Sequence, residues 1–237
     1  MKIHTEDYVS QMVIENPSVV PVLERYQVRF YDSRSESLEA ACAHAGAPLE
    51  KVLGSLEEAA AAPKGSERWD FAPLPALVRF ILDNHHTWER NKVFTLQGQM
   101  EEAVRDSGDR YPELRRLQLI FAGVSKWFLA HMKSEEVELF PTFLHEVAPG
   151  AAESQRAQKA FELIPLTDRL VEDHDVLLAQ WEAMRALTSQ FRAPEGAKPV
   201  HQALMRALVE FEGYQHQHVH KENFILFAKI RQMALKR

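Results

Sequence analysis

Four histidines, His86, His131, His174 and His218, stand 45, 43 and 44 residues apart, and that even spacing is the length of one long helix plus one loop. Two of them open copies of one short pattern: His131-Met-Lys-Ser-Glu135 followed by Leu139-Phe140, and His218-Val-His-Lys-Glu222 followed by Leu226-Phe227. Residues four apart on an α-helix lie one above the other. Each pattern therefore sets an imidazole and a carboxylate on one face, and the Leu-Phe extends that face as an apolar ridge. A helix with a single His followed by a helix with His-x-x-x-Glu occurs twice, which predicts a pseudo-twofold bundle gathering four nitrogens and two carboxylates at one point.

The rest of the chain agrees with an all-α class. Glycine is scarce, at 9 of 237 residues, and apolar residues recur three and four apart while strand-like alternation is hard to find. Short helices are predicted near 6–15, 17–27, 36–45 and 48–61, with Asn16-Pro17 and Ala47-Pro48 offering starts where proline is tolerated. The stretch from Ala62 to Pro75 concentrates Pro, Gly and polar residues and predicts a boundary: a small helical domain at 1–62, a linker at 63–73 and a larger domain at 74–237. In the larger domain, helices are expected over 74–104, 112–146, 156–190 and 199–234, separated by breaker-rich segments. Short loops between long helices imply antiparallel neighbours, hence an up-down-up-down four-helix bundle.

Composition removes several function classes. A formal charge of −6 argues against a nucleic-acid partner, which needs a basic stripe. No apolar run approaches the roughly 18 residues of a membrane span, and the N-terminus MKIHTEDYVS has no signal-peptide core, so no membrane partner and a cytoplasmic location are expected. The single cysteine, Cys42, excludes an internal disulfide and a thiolate-rich metal site. No nucleophile triad, phosphate-binding loop or Cys-x-x-Cys is present, so any turnover would run through metals.

The candidate ligands are His86, His131, Glu135, His174, His218 and Glu222. One His-x-x-x-Glu is an ordinary helix-stabilising pair; two in matching context, with single histidines at mid-spacing, are not. Four imidazoles and two carboxylates exceed what one tetrahedral zinc uses and suit two metals, with two histidines each and the carboxylates bridging. Counting an oxo or hydroxo bridge, about ten of about twelve positions on two six-coordinate ions are filled. The remainder would be open to O2, NO or peroxide. Nitrogen and oxygen donors suit iron or manganese, with iron favoured for its redox activity; manganese or zinc could substitute.

The other histidines carry weaker expectations. His85 is rotated about 100° from His86 and faces elsewhere, though it is the rival for that ligand position. His216 and His220 share a face different from that of His218; they could form a peripheral site, but are read as solvated. His4, His44, His145 and His201 have no partner at ligand spacing and are read as surface residues. Asp83, Asp173 and Asp175 stand near the ligand histidines and could accept the second imidazole N–H.

The order His86, His131-x-x-x-Glu135, His174 within Glu172-Asp-His-Asp175, and His218-x-x-x-Glu222 resembles the hemerythrin-like HHE cation-binding domain, over roughly residues 74–234. The resemblance implies a di-iron centre on those six residues. Pro21-Val-Leu-Glu-Arg-Tyr26 and Ser37-Leu-Glu-Ala-Ala41 are similar to the small helical domain that precedes the HHE domain in the iron–sulfur cluster repair (Repair of Iron Centers) group. That group usually carries two cysteines between these stretches, where this chain has Tyr31-Asp32. Thiol-dependent reduction or iron hand-over is thereby put in question, but the fold and the metal centre are not. Three functions compete: a stress-responsive di-iron protein whose labile iron serves damaged iron–sulfur proteins or whose open sites process NO; a sensor or carrier that binds O2 or NO without turnover; and a metal-free structural bundle.

Overall fold

A computed structural model describes residues 2–61, 68–146 and 152–236. Residues 62–67 of the expected linker and 147–151 of an expected separator lie outside the described residues, as does the side chain of His145. Among the described residues the fold is all-helical, with no strand beyond an isolated bridge between Tyr8 and Ser37. Two compact units share the chain: one formed by Met1–Leu77, Glu153–Glu162 and His216–Arg237, the other by Val78–Ala152 and Leu163–Gln215.

In the first unit, α1 (Val9–Glu15) ends at Asn16, whose side chain accepts from the Ser18 N–H and caps the 3-10 turn Pro17–Val19. Proline fits there because the first turn of a helix has no use for its missing N–H. The chain continues as α2 (Val20–Arg25), α3 (Leu38–Ala45) and α4 (Leu49–Ala61). Ser37 caps α3 by accepting from the Ala40 N–H at 3.3 Å, and Gly46 ends it at φ +63°, a left-handed conformation that glycine adopts without a Cβ penalty. Val9, Met12, Leu23, Phe30, Leu38, Val52 and Leu56 form the core. Cys42 is buried in it, and burial pushes its thiol pKa up.

The second unit takes most of a helical run that begins as α5 (Leu74–Phe80), passes through a π-helical turn at Ile81–His86 and continues as α6 (Thr87–Ser107). Next comes α7 (Glu113–Ser134), with π turns at Glu135–Leu139 and Thr142–Glu146. The expected helix over 156–190 is two helices, α8 (Glu153–Glu162) in the first unit and α9 (Ile164–Leu187) in the second. Pro165 explains the restart at Ile164, because within a continuous helix its ring would clash with the carbonyl four residues back. Helix α10 (Pro199–Lys221) runs without a break past Gln215 into a π turn at Glu222–Leu226 and then α11 (Phe227–Ala234). In the second unit α7 packs on both α6 and α9. Trp181 is buried with its ring 5.7 Å from Phe211 and donates Nε1–H to Gln215 at 2.6 Å, which satisfies the polar end of a large apolar side chain.

Candidate metal centre

The second unit brings four of the candidate side chains together. His86 is the last residue of the Ile81–His86 π turn, His131 lies in the last turns of α7, Glu135 opens the next π turn, and His174 lies within α9. All four are buried. The Nε2 atoms of His131 and His174 are 3.0 Å apart. Two nitrogens each about 2.1 Å from one ion, at a right angle, would stand about 3.0 Å apart. Glu135 divides its oxygens: Oε2 is 3.4 Å from His86 Nε2 and Oε1 is 3.6 Å from His131 Nε2.

The other ring nitrogens give these distances their meaning. His86 Nδ1 is 3.0 Å from Glu136 Oε1, and His131 Nδ1 is 3.3 Å from Asp173 Oδ2. Carboxylates accept hydrogen bonds, so each Nδ1 carries the proton and each Nε2 of a neutral ring presents a lone pair. Those lone pairs face the oxygens of Glu135, neither of which accepts a hydrogen bond among the described residues. Glu135 has 0 % exposure, and an ionised carboxylate buried without a donor costs several kcal/mol unless a cation compensates. Acceptors converging on acceptors is the property of a ligand set, so the residues fit a metal. The hydrogen bond from His86, assisted by the Arg90 guanidinium, holds the Glu136 carboxyl down at about 2, and the bond from His131 holds Asp173 below its usual range. These carboxylates stay ionised and fix tautomer and ring orientation.

The remaining pair lies in the first unit. His218 Nε2 is 3.0 Å from Glu222 Oε1, with both residues buried. Glu222 opens a π turn just as Glu135 does, and the Phe227 N–H bonds to the Glu222 carbonyl as the Phe140 N–H bonds to that of Glu135. This five-residue bond explains the Leu-Phe of the repeat. On a regular α-helix Leu139 would sit about 80° round from His131, whereas one extra residue taken up by a π turn brings it back within about 20°. The first copy is followed by Pro141 and the second is not, so proline is not the shared cause of the turn.

Residues 77–230 match the hemerythrin HHE cation binding domain. The chain belongs to this family. Nearly its whole length is also similar to proteins named for iron-sulfur cluster repair: ScdA of Staphylococcus haemolyticus, 24 % identical over 96 % of this chain and 99 % of the relative, and YtfE of Yersinia pseudotuberculosis, 25 % identical over 94 % and 97 %. ScdA of Staphylococcus epidermidis matches to the same extent, 24 % identical over 95 % and 98 %. Among the described residues, no helix of this HHE protein is long and apolar enough to cross a membrane.

Several histidines of this HHE chain depart from the sequence expectation. His216 and His220 are buried rather than solvated, because the N-terminal segment packs on their face of α10. His216 stacks on Tyr31 with ring centroids 3.6 Å apart and places Nδ1 2.9 Å from Glu24 Oε1. His220 donates Nε2–H to the Ser10 carbonyl at 2.9 Å, and burial pushes its pKa down to about 3, so the ring is neutral. His201 is also buried, 2 % exposed, with Tyr111 edge-on at 5.0 Å. His4 and His44 are exposed, as are Asp83 and Asp175. His85 is buried and lies beside Phe80 and Tyr214.

Sequence reasoning missed two residues. Glu136 holds His86 across 50 residues of chain, and its only signal is adjacency to Glu135. Glu89 is buried with a carboxylate oxygen within 4.8 Å of a His85 ring nitrogen. Its signal was available: His85-x-x-x-Glu89 is a third instance of the same spacing.

Proposed function

We propose that this HHE protein is a non-haem di-iron protein of the iron–sulfur cluster repair kind, in which His86, His131, Glu135, His174, His218 and Glu222 hold two irons. The observation that carries the reading is Glu135, a fully buried carboxylate with one oxygen toward His86 and the other toward His131, the disposition of a bridge between two ions. The turn shared by Glu135 and Glu222 supports an equivalent role for Glu222. The proposed frame is an up-down-up-down four-helix bundle over 74–237, preceded by a small helical domain at 1–62 and a linker at 63–73, in a cytoplasmic protein.

Iron held by these residues would supply a redox-active Lewis acid able to take NO or O2. The chain's own residues keep the imidazoles oriented through Glu136 and Asp173, exclude water by burial, and offer only nitrogen and oxygen donors. Such a donor set lacks thiolate and would also accept manganese or zinc. That absence suits iron that can be given up, and damaged iron–sulfur proteins are the proposed recipients. The test is metal analysis with absorption spectra of reduced and oxidised protein, followed by transfer of the loaded iron to an apo-ferredoxin and by NO consumption. Two irons per chain that transfer, or NO that is consumed, support the reading; retention of the iron together with no NO consumption refutes it.

A second reading, a carrier or sensor that binds O2 or NO without turnover, is favoured by one observation. Tyr31 stands where the repair group has a cysteine and is packed on His216, so that position supplies no thiol. Reversible spectral change over O2 cycles with unchanged iron content would select this reading, and rapid irreversible oxidation would reject it.

A further inference from the structure

We propose that the first unit carries a pocket for a small organic dianion, a phosphate monoester or a dicarboxylate of a few carbons, held by Arg156 and Lys229. The inference is independent of the metal reading above. The pocket, about 290 Å³ in volume, is lined from the start of α5, the first residues of α8, and α11 with the residues just after it. Every residue of that lining belongs to the first unit. Among the described residues its cations are Arg156, Lys229 and Lys236 and its acid is Glu153, in a chain whose formal charge is −6.

Pairing decides which of these charges a ligand can use. Lys236 meets Glu153 at 3.0 Å. Asp70, which acts on Lys229 from outside the lining, is held by two hydrogen bonds from Arg68 at 2.9 and 2.6 Å. Those two pairs cancel, and Arg156 and Lys229 remain as an excess of two positive charges. Lys229 is positioned by donating to the Ala72 carbonyl at 2.7 Å; an ammonium has three N–H, and the other two meet no acceptor among the described residues. Burial lowers its pKa against the pull of Asp70, as for a cation drawn partly out of water, and a bound anion would offset that. Arg156 is half-buried and donates no side-chain hydrogen bond among the described residues, so its planar fork can take two oxygens of one carboxylate or phosphate. Both ligand classes carry about two negative charges at neutral pH. Ligand pockets run upward from about 300 Å³, so this one suits a few carbons rather than a nucleotide, with Pro73, Leu74 and Met233 as apolar wall for the carbon body.

The experiment is isothermal titration calorimetry of the full-length protein as isolated, with glycerol 3-phosphate, with succinate, and with butyrate as the singly charged comparison. At least one dianion should bind, and the tighter of the two tells a phosphate ester from a dicarboxylate. Butyrate should bind at least about tenfold more weakly. Arg156→Gln and Lys229→Gln should each weaken the dianion by about tenfold or more, and Lys229→Arg, which keeps the charge, should lose less. Lys126→Gln removes an exposed charge from α7 in the second unit and should leave affinity unchanged, which separates contact in the pocket from net charge. Far-UV circular dichroism verifies the fold of each variant, and Arg156→Gln, which breaks no side-chain hydrogen bond among the described residues, decides the matter should Lys229→Gln unfold. Binding of neither dianion, equal binding of butyrate, or dianion binding that survives Arg156→Gln overturns the proposal.

Discussion

Two groups of buried histidines in this protein look alike by exposure and differ in what their nitrogens meet. His216 and His220 offer theirs to an acceptor that a donor can satisfy, the Glu24 carboxylate and the Ser10 carbonyl, and their rings lie against Tyr31 and Phe30. His86 and His131 spend Nδ1 on Glu136 and Asp173, which leaves Nε2 facing the oxygens of Glu135. The first group is a finished set of hydrogen bonds and ring contacts that fastens the N-terminal segment to α10. The second is the set that we propose a cation completes. Burial alone therefore does not separate the two groups; what separates them is that the proposed ligand histidines face the oxygens of a buried carboxylate.

The sharpest way to break this distinction is Glu135→Gln. Metal content should collapse, because a neutral amide cannot bridge cations, while the metal-free variant gains about 1–3 kcal/mol of stability through loss of a buried, donor-less charge. Metal analysis and urea unfolding of the metal-free protein read the two effects, which have opposite signs. A variant that keeps its metal, or a metal-free variant less stable than wild type, contradicts the assignment.

His216→Ala should act the other way. Losing a stacked ring and a hydrogen bond to a carboxylate should cost about 2–3 kcal/mol, seen as a lower urea midpoint, with metal content per folded chain unchanged. Metal lost in proportion to the destabilisation would merge the two groups and dissolve the comparison. A smaller effect is expected from Asp173→Asn, which keeps an acceptor for His131 but removes its charge. Metal affinity should weaken by about 10- to 100-fold in a competitive chelator titration, with the stoichiometry intact.

The sequence carried the helical class and most of the helix ends because local chemistry writes them. Asn16-Pro17 and Ala47-Pro48 mark starts by the geometry of proline, and a spacing of four between His and Glu puts both on one face. The π turns were invisible to that reasoning. His131 and Glu135 stack equally well on a regular helix, and only the recurrence of Leu-Phe four and five residues past each Glu hinted at a shared irregularity. The break at Leu163 was signalled by Pro165 but masked by the apolar periodicity that continues on either side. The surroundings of His216 and His220 could not be read at all, since the partners that bury them, Glu24, Phe30 and Tyr31, lie about 190 residues away in the chain.

His201 is a third kind of buried histidine and supports the smallest prediction. Its ring faces Tyr111, its Nδ1 has no hydrogen-bond partner among the described residues, and burial lowers its pKa although Glu113 pulls the other way. In the unfolded chain this ring takes up a proton near its ordinary pKa of about 6.5, whereas the folded protein resists protonation to a lower pH. Over that interval the unfolded state binds more protons, so stability falls as pH drops below about 6.5, by at most about 1.4 kcal/mol per pH unit. His201→Phe removes this titration and keeps the ring volume. Urea unfolding of the metal-free protein at pH 7.5 and 5.5 should therefore show a smaller acid loss in the variant than in wild type. Equal losses would mean that His201 charges freely within the fold, and its place among the buried neutral rings would be withdrawn.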